Sequence, residues 1–159
     1  MRHATLLLLL LLAAAAQAAM IEVPLKTTTV QAVEIVQGEV VSQSSDWDFG
    51  YRTIYTDVVV RVDESLKGDL QTGQTVTLRV EGGEVGEIGI RVEHQPRFLD
   101  QEKVLLFLSD GPEGKRAVQS LEQGKFTLFD QQAYDYRGRR LELPALKTTI
   151  QRNLATDER

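Results

Sequence analysis

The chain has 159 residues, a formal charge of −5 and no cysteine. The acidic balance gives no electrostatic reason to expect nucleic acid or an anionic membrane as partner. The lack of thiols excludes cysteine nucleophiles, Fe–S clusters, thiolate zinc sites and stabilisation by disulfides.

Residues 1–18 read as a secretory signal peptide. Arg2 supplies the basic start, Leu6 to Ala16 an apolar run too short to cross a bilayer comfortably, and Ala16-Gln17-Ala18 the small-x-small cleavage pattern. With no cysteine at that position, lipid attachment through a cleavage-site thiol is closed. The expectation is an exported, periplasmic or extracellular product without a membrane anchor, forming one domain over residues 19–159.

Residues 25–32 allow a short turn of helix, and Val33 to Val41 read as an extended run with Gly38 marking a bulge or bend. "SSDWDFGYR" then reads as a loop. From Ile54, period-2 alternation sets Ile54, Val58, Val60, Val62 and Leu66 on one face and Tyr55, Asp57, Arg61 and Asp63 on the other. A second strand places Val76, Leu78 and Val80 inward, and a third is predicted from Ile88, Ile90 and Val92. Between them "EGGEVG" reads as a connection, with glycine supplying positive φ or a bulge. "KVLLFL" (103–108) is apolar at every position after the lysine, the pattern of a strand buried on both faces. "SDGPEGK" is a hairpin loop, Ala117-Val118 and "KFTLF" (125–129) are return strands, and Pro144 sits near the start of a short helix with Leu143, Leu146 and Ile150 at helical spacing. "ATDER" reads as a frayed end.

The predicted fold is all-β: a small five-to-six-stranded OB-like barrel with short terminal helices, a β-sandwich being the alternative. Its blocks "IYTDVVVRVDESLKGD", Gly82-Gly83, Pro96-Arg97-Phe98, "QEKVLLFLSD" and "QGKF" resemble a group of exported bacterial proteins of uncharacterised function, over roughly residues 33–130. That resemblance implies a compact OB-type barrel, similar in architecture to the inhibitory domain of tissue inhibitors of metalloproteinases. Gln101-Glu102 stands where that group often has Gly-Glu. The inhibitors' zinc-chelating N-terminal cysteine has no counterpart, so the resemblance extends to architecture and not to inhibitory chemistry.

No catalytic constellation is legible. Beyond the predicted leader the sole histidine is His94, followed by Gln95-Pro96 in an extended loop, and no serine lies in a G-x-S-x-G elbow. No cofactor motif is present: "EGGEVGEIG" lacks the order of a phosphate-binding loop and leads into a strand. Asp46 and Asp48 have the oxygen chemistry of weak calcium ligands, against a plain solvated loop tip. Trp47, Phe49, Tyr51 and Tyr55 form an aromatic hairpin, read either as a contact surface or as a lid over the core. The function expected is an exported, non-enzymatic binding module for an extracellular protein or polysaccharide, acting through one barrel end. The alternatives are a modulator of a secreted peptidase and a carboxylate-based hydrolase.

Overall fold

The computed structural model describes residues 21–157, so the predicted signal peptide lies outside the described residues. The chain is mostly β. Helix α1 (Leu25–Gln31) leads into β1 (Glu34–Trp47), β2 (Ile54–Lys67), β3 (Thr75–Glu81), β4 (Gly83–Val85), β5 (Ile88–Ile90), β6 (Lys103–Asp110), β7 (Arg116–Val118), β8 (Lys125–Phe129), β9 (Gln132–Tyr134) and β10 (Arg140–Glu142). Helix α2 (Leu143–Asp157) ends the described chain. Among the described residues no helix is long and apolar enough to cross a membrane.

Eight strands join in one sheet in the order β1-β2-β3-β7-β6-β8-β9-β10, and β1 also pairs with β6. The ladders of β1, β2, β3, β7 and β6 therefore follow one another in a cycle. All are antiparallel except the contact of β3 with β7.

Strand β6 explains the core. Val104 to Leu108 are all fully buried, and alternate residues serve two different apolar clusters. Val104, Leu106 and Leu108 meet Val36, Val40, Val58, Val60, Leu78 and others in one cluster. Leu105 and Phe107 point the other way, to Ile35, Phe126 and Leu128 beneath Leu143, Leu146 and Ile150 of α2. The run "KVLLFL" is apolar throughout because both of its faces are covered. The C-terminal helix buries the three residues its spacing predicts. It also continues through Ala155, Thr156 and Asp157, where a frayed end was expected.

Three other expectations are corrected. Strand β1 does not stop near Val41; it continues to Trp47, paired in register with β2 as far as Trp47 opposite Ile54. The alternation of β1 hides this length, because its register shifts between Val40 and Ser42. The extra residue, Val41, is exposed, and beyond it the inward positions change from even to odd numbers. Register shifts at the far end of β2 likewise carry Leu66 out of line with Val62, so that it packs with the cluster under α2 instead of joining Val58, Val60 and Val62 in the other. Finally, Ile88 and Ile90 do not form a core strand. They pair only with Gly83 and Val85, and Ile88 is exposed. "EGGEVGEIG" is thus a small hairpin of its own. It turns at Gly86-Glu87, with positive φ at Gly86 alone of the two, as a type II′ turn requires.

Candidate functional site

Past the bulge in β1 the inner face of the sheet turns polar. Gln43, Ser45 and Thr56 now occupy the inward positions, at the end where β1 and β2 join. Ser45 and Thr56 share a hydroxyl hydrogen bond of 2.9 Å, and Thr56 Oγ1 lies 2.7 Å from the Gly82 carbonyl. That contact folds the β4–β5 hairpin across the sheet end. Gln43 Nε2 donates to the Phe98 carbonyl and to Asp100 Oδ1, fixing the segment that follows β5. The result is a groove of 770 Å³ between the polar inner face and residues 82–100.

A second groove, also 770 Å³, lies on the other side of Arg91–Arg97 and runs to Tyr134–Tyr136. Lys125 lines it and is held in a largely buried ion pair, its Nζ 2.6 Å from Glu102 Oε1 and 5.1 Å from the Phe98 ring centroid. Thr127 Oγ1 donates to the same Glu102 oxygen, and Glu102 Oε2 accepts from the Leu99 amide. Pro96 and Phe98 are buried between the grooves, so the exposed Arg91 and Arg97 are carried on an anchored segment.

His94, the base that a Ser-His-Asp arrangement would have to use, is clamped to the turn at Glu122. Its Nδ1 is 3.0 Å from Glu122 Oε1, and its carbonyl accepts from the Glu122 amide. No serine or threonine hydroxyl among the described residues hydrogen-bonds the imidazole.

The aromatic hairpin divides. Phe49 and Tyr51 stand in solvent at 106% and 78% exposure, which removes the lid reading for these two rings. Trp47 is half-buried, with its ring centroid 6.3 Å from that of Tyr51. Tyr55 is not part of this group. It pairs with Asp46 and Glu81 on the opposite face from Trp47 and Ile54, and the Arg79 guanidinium lies 5.5 Å from its ring centroid. The same arginine grips Asp57 through two hydrogen bonds of 2.8 and 2.9 Å, while Lys115 reaches Asp57 at 2.6 Å. These hold the Asp57 carboxyl below the usual aspartate range, against the opposing effect of its partial burial.

The two aspartates of the loop have local work. Asp48 Oδ1 accepts from the Arg52 and Thr53 amides and closes the hairpin loop, and the Arg52 amide in particular holds its carboxyl below the usual range. Asp46 Oδ1 accepts from the Trp47 amide. Among the described residues no three acidic or histidine side chains gather closely enough to hold a metal ion.

The sequence pattern did not single out Arg91, Arg97, Tyr134 or Tyr136. "YDY" followed by three arginines in "RGRR" was a visible concentration of aromatic and cationic groups, but its proximity to residues 91–97 depends on the pairing of β8 with β9. No family model matches this sequence, and no curated protein matches it. The resemblance to exported bacterial proteins rests on the sequence blocks alone.

Proposed function

We propose that the protein is an exported, non-enzymatic binding module built on a five-stranded OB-type barrel, engaging an extracellular protein or polysaccharide through the end formed by the β1–β2 tip and the β4–β5 hairpin. The cyclic strand order supports the barrel, since a sheet whose pairings return on themselves leaves no edge among those five strands. In barrels of this type the face of the second and third strands and the loop between the first two are common ligand surfaces.

One observation carries the binding reading: Phe49 and Tyr51 project into solvent from a loop whose backbone is tied by two amide hydrogen bonds to Asp48. Large rings on an ordered loop offer contact area at small entropic cost, and their exposure in the free protein is otherwise unfavourable. The polar groove beside them, lined by Gln43, Ser45 and Thr56, supplies hydrogen-bonding groups for orientation.

Affinity capture from extracellular material of the producing cell tests this, comparing wild type with Phe49→Ala/Tyr51→Ala. The expected result is a protein or glycan retained by the wild type and lost by a double variant of unchanged melting temperature. Retention of the same material by both would refute the assignment of the tip.

A further inference from the structure

We propose that the second groove, between Arg91–Arg97 and Tyr134–Tyr136, is a binding site for an acidic saccharide, a sugar ring carrying a carboxylate. It adjoins the first groove, sharing Arg91, Val92, Gln95, Pro96 and Arg97 with it, but includes neither Phe49 nor Tyr51 of the aromatic tip.

The charge pattern is the first observation. On a chain of net charge −5, Arg91 and Arg97 line this groove and make no ion pair among the described residues. The other cation of the lining, Lys125, is already neutralised by Glu102. Of the lining acids, Glu122 is held by His94, and Asp135 by the Arg139 guanidinium and the amides of Arg137 and Arg139. Glu93 alone lacks such a partner. This lining therefore carries two uncommitted guanidiniums, which border the first groove as well, and one uncommitted carboxylate. The planar fork of arginine matches a carboxylate with two parallel hydrogen bonds.

The second observation is a polar atom left over. Tyr136 lines the groove, and its hydroxyl oxygen is shielded from solvent with no hydrogen-bond partner among the described residues. A buried hydroxyl in that condition is costly, and a turn of the side chain toward the groove on binding would let a ligand hydroxyl or carboxylate oxygen remove the cost. The guanidinium of the neighbouring Arg137 lies 5.1 Å from the Tyr136 ring centroid.

The third is shape. A volume of 770 Å³ is in the range that holds a drug-sized ligand, enough for a short oligosaccharide. Tyr134 and Tyr136 offer amphipathic ring surface, suited to the apolar face of a sugar with its hydroxyls turned to polar partners. An anion without a ring would use the arginines and leave the tyrosines idle.

Isothermal calorimetry on the purified protein separates these elements, with trigalacturonate, a glucuronate-containing oligosaccharide, the methyl ester of trigalacturonate, and inorganic sulfate as probes. At least one acidic oligosaccharide is expected to bind, more weakly as salt rises. Removing the charge as the methyl ester is expected to weaken trigalacturonate binding, where that probe binds, at least about tenfold. Arg91→Gln and Arg97→Gln should each weaken the bound acid by a similar factor with no change in melting temperature, since neither side chain has a partner to lose. Tyr136→Phe should weaken binding while leaving the fold as stable or more so, and Phe49→Ala/Tyr51→Ala should leave binding unchanged. Absence of binding to both acidic oligosaccharides, equal binding of acid and ester, or indifference to the arginine variants overturns the proposal. Sulfate binding as tightly, with the same arginine dependence, overturns the saccharide assignment in favour of a simple anion site. Loss of binding in the Phe49/Tyr51 variant places the saccharide at the tip instead.

Discussion

The Thr56 hydroxyl stands 2.7 Å from the Gly82 carbonyl, tying the start of β2 to the residue just before the β4–β5 hairpin, 26 positions later. This bond makes "EGGEVGEIG" a covering element over the sheet end. It also sets the demand on the next residue. Gly83 has φ +146, and a Cβ there would overlap Thr56 Oγ1 and stand 2.6 Å from Ser45 Oγ. Gly86 at the turn has positive φ too, but open space around it.

The two glycines therefore respond differently to substitution. Gly83→Ala is expected to lose roughly 2 kcal/mol or more, because backbone strain and the clash with the hydroxyl pair add. Gly86→Asn, at a turn position where asparagine tolerates positive φ, should cost under about 1 kcal/mol. Urea denaturation of both variants checks the ranking, and equal losses would contradict it.

How far the sequence revealed this arrangement depended on whether a strand's partners were local. The β2 alternation from Ile54 to Val62 and the doubly apolar β6 were readable because each residue's own neighbours along the chain report its burial. Trp47 and Tyr55 were misjudged as companions because the extra residue at Val41 reverses the inward parity of β1, and no residue type there announces it. Arg91 and Arg97 were passed over for a related reason. A lone arginine in a loop is ordinary, and only the fold shows that these two lack acidic partners among the described residues and share a groove with Tyr136. The hairpin at 83–90 was invisible because its glycines suit a plain connection equally well, and only the approach of Ser45 and Thr56 distinguishes the two.

Acid should unfold the protein through a definable set of carboxylates. Asp57 is held below its usual range chiefly by Arg79, and Glu22, Glu39 and Asp48 are lowered as well, through Arg139, Lys103 and the Arg52 amide respectively. A carboxyl depressed in the folded state stabilises fully above the unfolded-state value and loses that contribution as pH falls through the folded one. The urea midpoint is thus expected to gain nothing from these groups between pH 7 and about 5, and to fall below about pH 4. Asp57→Asn should lower stability at pH 7 by about 1–2 kcal/mol and make the acid limb shallower. An unchanged acid limb in that variant would show that Arg79 does not govern it.

The Glu102–Lys125 pair predicts a non-additive result. Both side chains are largely buried, at 7% and 12% exposure. Lys125→Met leaves the Glu102 carboxylate inside without its cation, and a loss of about 3 kcal/mol is expected. Changing both, Glu102→Gln with Lys125→Met, removes the stranded charge, so the double variant should be more stable than Lys125→Met alone. Thermal denaturation of the wild type, Glu102→Gln, Lys125→Met and the double variant measures the coupling. A double variant that sums the two single losses would mean the pair is independent.

The aromatic tip can be followed through the protein's single tryptophan. Trp47 is half-buried beside Tyr51, while Phe49 and Tyr51 bury almost nothing, so truncating either exposed ring should change stability by less than about 0.5 kcal/mol. Trp47→Ala removes a ring that shares its face with the fully buried Ile54 and should cost more, about 1–2 kcal/mol. If the tip is the contact surface, adding the captured partner should shift Trp47 emission to shorter wavelength as water leaves the ring. The same addition to Phe49→Ala/Tyr51→Ala should leave the emission where it was. A partner that binds the wild type with no change in Trp47 emission would place its contact away from this loop.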